Sequence, residues 1–167
     1  MISGFLKIID KISDRLGKVV SFFIITIALI IGYEVVSRYI FNSPTLWAHE
    51  TSLMFFAAFA TLGGAYALLN RSHVNMDLIY GRLSVRTKAI LDVITFFLFA
   101  FFCGVLIWTS GKTALKSLLM LEHASTNWEP PIYPFKLLLP VGTFFLLLQG
   151  IAKFIRDINI LRKGEQV

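Results

Sequence analysis

The chain has 167 residues, of which 56% are hydrophobic and only 16% charged, and its mean hydropathy is +0.73. Such values exclude an ordinary soluble domain. The formal charge of +6 is what a surface drawn to anionic lipid headgroups carries, so nucleic acid is not required as a partner. The fold class expected is therefore an all-α integral membrane protein. It has four transmembrane helices, cytoplasmic N and C termini, and an N-terminal amphipathic interfacial helix.

The first element, residues 1–18, carries Phe5, Ile9, Ile12 and Leu16 at helical spacing, with Lys7, Asp10, Lys11, Asp14, Arg15 and Lys18 on the other side. It is expected to lie along the inner membrane surface; the plainer alternative is a simple cytoplasmic extension of span one. A span over 17–41 follows, if Glu34 and Arg38 are admitted at its outer end. The second span covers 47–69, the third 89–111 and the fourth 133–154; each is close to the roughly 20 residues that a hydrocarbon core of about 30 Å demands. A cytoplasmic interfacial loop, 70–88, joins spans two and three. A periplasmic segment, 112–136, precedes span four, and a cytoplasmic tail, 155–167, ends the single membrane domain.

Orientation follows from the cations. Lys7, Lys11, Arg15, Lys18, Arg71, Arg82, Arg86, Lys88, Lys153, Arg156, Arg162 and Lys163 fall on one side, against Arg38, Lys112, Lys116 and Lys136 on the other. Positive residues in short loops stay cytoplasmic. Trp47, Trp108 and Trp128 then all fall at the outer interface, as half of an aromatic belt.

Within span two, small residues recur four apart, as Ala57/Thr61, Ala60/Gly64 and Gly63/Ala67, which predicts a close helix seam. Span three, rich in Phe on every side, is suited to lipid or to a large apolar partner and not to a water-filled lumen. Pro130, Pro131 and Pro134 predict an extended turn before span four.

Glu34 and Arg38 stand four apart on one helical face, and Glu50 opens span two at a similar depth, so Arg38 is placed to bridge the two acids. Glu34, Arg38 and Glu50 thus form a structural polar cluster holding the outer ends of the first helix pair. The sharper alternative makes Glu34 a coupling carboxylate. An adjacent guanidinium suits a fixed salt bridge better than a proton carrier.

His73 lies at the inner level and His49 and His123 at the outer one, so no pair meets at one depth to hold a haem, and no metal or other cofactor is expected. Cys103 is the single cysteine and has no intrachain partner. No phosphate loop, Cys-x-x-Cys, His-Glu-x-x-His or catalytic Ser/His/Asp set is present, so an enzyme is not expected.

The order of features carries a resemblance. Arg38 closes span one, an Asn42-Ser43-Pro44 turn follows, Trp47-Ala48-His49-Glu50 opens span two, Gly63-Gly64 marks its middle, and Arg71-Ser72-His73-Val74-Asn75-Met76-Asp77 stands at its inner end. The Pro44-x-x-Trp47-x-x-Glu50 arrangement and the run from His73 to Asp77 are its strongest elements. Over nearly the whole chain this resembles the small membrane subunit, DctQ type, of tripartite ATP-independent periplasmic (TRAP) transporters.

The resemblance implies a bacterial inner-membrane, multi-pass subunit of a sodium-driven importer of organic acids. Its partners would be a large elevator-type membrane subunit of DctM type and a periplasmic substrate-binding protein of DctP type. The small subunit would be scaffold, with Glu122, His123, Trp128 and Glu129 as contacts for a partner or the binding protein. The competing expectations are a four-helix proton-coupled multidrug exporter, acting as a dimer with Glu34 as its proton site, and a membrane anchor for a redox enzyme.

Overall fold

The computed structural model describes residues 2–70 and 85–163. His73, Asp77 and the interior of the expected interfacial loop lie outside them. Among the described residues there are four helices: α1 (Ile2–Tyr39), α2 (Ala48–Leu69), α3 (Val85–Leu119) and α4 (Tyr133–Lys163). Each is long and apolar enough to cross a bilayer.

The helices stand in a row. α1 packs on α2, α2 on α4, and α4 on α3, while α1 also reaches α4 near the end that carries both termini. At the opposite end, the hairpin end, short segments join α1 to α2 and α3 to α4. α3 sits at the edge of the row. Phe97, Leu98, Phe101, Phe102, Val105 and Trp108 are accordingly exposed on it, as a lipid-facing or partner-facing surface is.

The N-terminal stretch is helical, but it is not a separate element lying beside span one. No proline falls within 2–39, and the helix continues without a break. Its buried stripe is Leu6, Ile9, Ser13, Gly17 and Val20, whereas Ile12 is 38% exposed. A pattern of large apolar residues alone misses this stripe, because two of its members are small. Leu6 and Ile9 pack with Ala152, Leu148 and Ile155 of α4, so the apolar face of this stretch meets protein.

Close approach in the row depends on glycine. A Cβ on Gly17 would stand 2.1 Å from the Tyr66 ring, one on Gly142 would stand 2.5 Å from the Thr61 carbonyl oxygen, and one on Gly150 would stand 2.3 Å from the Phe99 ring. The expected seam on α2 is present on both its sides, since Gly63 faces Val20 of α1 and Gly64 faces Leu146 of α4 at ordinary contact distance. In lipid, where apolar burial between helices brings little hydrophobic gain, such proximity is what dispersion forces require.

Helix ends account for the remaining differences. α3 runs to Leu119, past the expected end at 111, and closes with the Glu122 N–H donating to Ser117 O and the Leu121 N–H to Leu118 O. This is a Schellman cap with Leu121, at φ 47°, in the left-handed position usually given to glycine. α4 begins at Tyr133, so Pro134 lies in its first turn, where a missing N–H costs nothing. Pro130 and Pro131 alone occupy the extended segment. Pro140 is inside α4, yet the helix continues through it.

Replacing Gly142 with alanine sets a methyl against backbone that cannot swing aside. The expected loss is about 2 kcal/mol, seen as a lower melting temperature in detergent, while Gly104→Ala, with open space around it, leaves melting unchanged or raises it.

Candidate functional site

Three polar groupings stand out, two at the hairpin end and one at the terminal end. The first is built where α1 turns into α2. Asn42, at φ 50°, reverses the chain; the Ser43 N–H donates to Ser37 O at 3.0 Å and the Ser37 hydroxyl to Ser43 O at 2.5 Å. That turn brings Thr45 over Glu34. The carboxylate accepts Arg38 Nε at 2.9 Å and Arg38 Nη2 on one oxygen, and the Thr45 N–H at 3.1 Å and the Thr45 hydroxyl on the other. Glu34 is only 15% exposed in its side chain and Arg38 is 52% exposed, so the acid sits inside and the more exposed guanidinium caps it. Trp47 stacks on Tyr33, with ring centroids 5.9 Å apart, and fastens the same corner.

Glu50 does not complete this cluster as expected. Its Oε2 is buried without a hydrogen-bond partner among the described residues, and Arg38 reaches Glu34 alone. Thr45, delivered by the turn, takes the second oxygen of Glu34 instead. Pro44 occupies that turn, exposed, and His49 is exposed at the start of α2.

The second grouping is the segment 120–132. Lys136 Nζ meets Glu122 at 2.6 Å, His123 Nδ1 lies 2.7 Å from Leu121 O, and the backbones of His123 and Pro131 bridge. Bonds from Ala124 N–H to Pro130 O and from Ile132 N–H to Glu122 O close the segment into a compact flap. It lies over the start of α2, leaving a trough of about 370 Å³ lined by Thr51, Met54, Phe55, Trp128, Glu129, Pro130, Pro131 and Phe135. Trp128 is 43% exposed and Glu129, at φ 46°, is exposed as well. Glu122, His123, Trp128 and Glu129 all belong to this segment, and Trp128 and Glu129 border the trough.

The third grouping escaped sequence analysis. Gln149, in the apolar stretch of α4, is buried; its Oε1 accepts the Ser13 hydroxyl at 2.9 Å and its Nε2 donates to Asp10 at 3.0 Å. Arg156 meets the other Asp10 oxygen at 2.5 Å, and Lys153 meets Asp92 at 2.9 Å. α1, α3 and α4 are thereby tied at the terminal end. One signal was available: an amide within an otherwise apolar span must find polar partners, and Asp10 and Ser13, three apart, offer them.

Chemically these groups clamp. Among the described residues no three of His, Cys, Asp and Glu converge on a point that would hold a metal ion. Cys103 is buried on α3.

Residues 27–159 match the family described as tripartite ATP-independent periplasmic transporters, DctQ component. Over 160 residues the chain is 21% identical to the sialic acid TRAP transporter small permease protein SiaQ of Vibrio cholerae serotype O1, an overlap of 93% of this chain and 89% of that one.

The ammonium of Lys136 holds the Glu122 carboxyl below the usual carboxylate range. A depressed folded value means that the contribution of the pair is present above the unfolded pKa and is lost as pH falls through the folded one. Acidification below about pH 4 is therefore expected to open the flap, read as a change in Trp128 emission in a chain with Trp47 and Trp108 replaced by Phe; Glu122→Gln abolishes that transition.

Proposed function

This chain belongs to the DctQ component family of tripartite ATP-independent periplasmic transporters, and from that premise we propose that it is the static scaffold subunit of a sodium-driven importer of organic acids. It is a multi-pass inner-membrane transporter component and not an enzyme. In the proposed arrangement it packs beside a large membrane subunit that carries substrate and sodium. A soluble periplasmic substrate-binding protein approaches the hairpin end, where the flap displays Glu122, His123, Trp128 and Glu129. The termini face the cytoplasm, as the distribution of Lys and Arg favours, and the cationic terminal end meets anionic lipids.

The observation that carries this reading is the row itself. Among the described residues four continuous helices, each packed only on its neighbours along most of its length, form a wall. Alternating access calls for broken helices or repeats around a midplane site. Glu34, Arg38 and Thr45 at one end, and Asp10, Ser13, Gln149 and Arg156 at the other, are instead committed to one another. Large apolar side chains cover the outer faces of α1 and α3, among them Phe22, Ile25, Leu29, Phe97 and Phe101, and these suit either lipid or an apolar partner.

The exporter alternative draws no support from Glu34. Both of its oxygens are occupied by Arg38 and Thr45, which suits a clasp. A carrier acid would have to exchange those donors in every cycle.

Arg38→Ala uncaps a partly buried carboxylate. The loss is moderated because Arg38 is half exposed and Thr45 still holds Glu34. Weaker copurification of the large polytopic subunit and reduced uptake are expected in native membranes. Normal copurification with full uptake discredits the role. The purified chain alone, reconstituted in vesicles, is expected to move no solute, and proton-coupled efflux from such vesicles revives the exporter.

A further inference from the structure

The apolar stretches of the four helices are not level with one another. Across α1 and α2, Gly17 faces Tyr66 and Gly63 faces Val20; across α2 and α4, Thr61 meets Gly142 and Gly64 meets Leu146. Across α4 and α3, Gly150 meets Phe99, and Phe154 stacks on Phe96 with centroids 4.2 Å apart. These contacts fix which residues share a height in the row.

The charge-free stretches are 19–33 in α1, 51–69 in α2, 137–152 in α4 and 93–111 in α3, with midpoints near residues 26, 60, 144 and 102. Carried through the contacts onto α1, the midpoints fall at about residues 26, 23, 20 and 17, a step of about 4–5 Å from each helix to the next. Every step runs in the same direction and follows the order of the row. With neighbouring axes about 8–10 Å apart, the total of about 13 Å is an incline of roughly 25°.

We propose that the phospholipid headgroup layers cross this wall obliquely, the row leaning within its own plane by roughly 25° from the bilayer normal. Helices in membranes commonly tilt by about 20° and by as much as 40°. The lean sets Asp14–Lys18 and Asp92–Lys153 in one headgroup layer, and Glu34–Arg38 and Lys136–Glu122 in the other. An upright row would leave Lys18 about 5 Å from the midplane while Asp92 stood about 20 Å from it. Charge inside hydrocarbon is the costlier arrangement. The lean follows from where apolar side chains fall on packed helices and does not depend on which transport system the chain serves.

Residue pairs on lipid-exposed faces read the lean directly. Nitroxides at Val19→Cys and Leu98→Cys, and at Ile31→Cys and Thr109→Cys, each in a Cys103→Ala chain reconstituted in phospholipid vesicles, report depth through oxygen against nickel-chelate accessibility. The leaning wall puts Leu98 about 4 Å deeper than Val19 and Ile31 about 3 Å deeper than Thr109. An upright wall reverses both orders, by about 9–10 Å. Equality or reversal at either pair overturns the proposal. Should a labelled chain fail to fold, Trp108 in a Trp47→Phe, Trp128→Phe chain serves instead. Brominated lipids should quench it most strongly with bromines about 9 Å from the midplane, and a maximum near the midplane overturns the lean.

Discussion

Between two helices in lipid there is little hydrophobic force, because acyl chains solvate leucine as well as another helix does. Attraction then rests on dispersion, which fades steeply with separation, and so the whole row depends on how near its axes can come. Gly17 against Tyr66, Gly142 against Thr61 and Gly150 against Phe99 set that distance at its three interfaces. The middle contact is the strictest, since a backbone carbonyl lies where a methyl would go. The remaining packing, including the stacking of Phe96 on Phe154 and the burial of Ala65 and Ala152, follows from axes already drawn together.

Polar contacts act at the ends of the row, where such packing gives out. At the hairpin end Arg38, Glu34 and Thr45 lock α1 to its turn, and Lys136 and Glu122 lock α4 to the flap. At the terminal end Ser13, Gln149, Asp10 and Arg156 tie α1 to α4 beyond the reach of the shorter α2. Such pairs contribute little attraction individually when exposed. Their work is registration: a slip of one helical turn along any neighbour would separate them.

Hydropathy and charge made four apolar spans legible, because the bilayer imposes one length scale on every helix. The Glu34–Arg38 pair was legible from its spacing. Thr45 was not, since its approach to Glu34 depends on the left-handed backbone at Asn42, which residue types alone do not announce. Glu50 was drawn toward Arg38 by depth alone, and depth says nothing about which side of a helix a residue occupies. The buried stripe of α1 was misaligned for a similar reason: Ser13 and Gly17 are invisible to a count of large apolar residues, yet they lie where α4 and α2 come closest. The seam at Gly63 and Gly64 could be located but not its partners, and it joins two different helices. The cap at Leu121 departs from the glycine rule, so the extension of α3 to Leu119 carried no signal.

A wall one helix thick has an unusual mechanical character. Its second moment of area is large for forces directed along the row and small for forces directed across it, so it resists edgewise shear while bowing readily out of plane. Any body sliding past its face would meet a rail that keeps its height yet conforms to the contour of what passes.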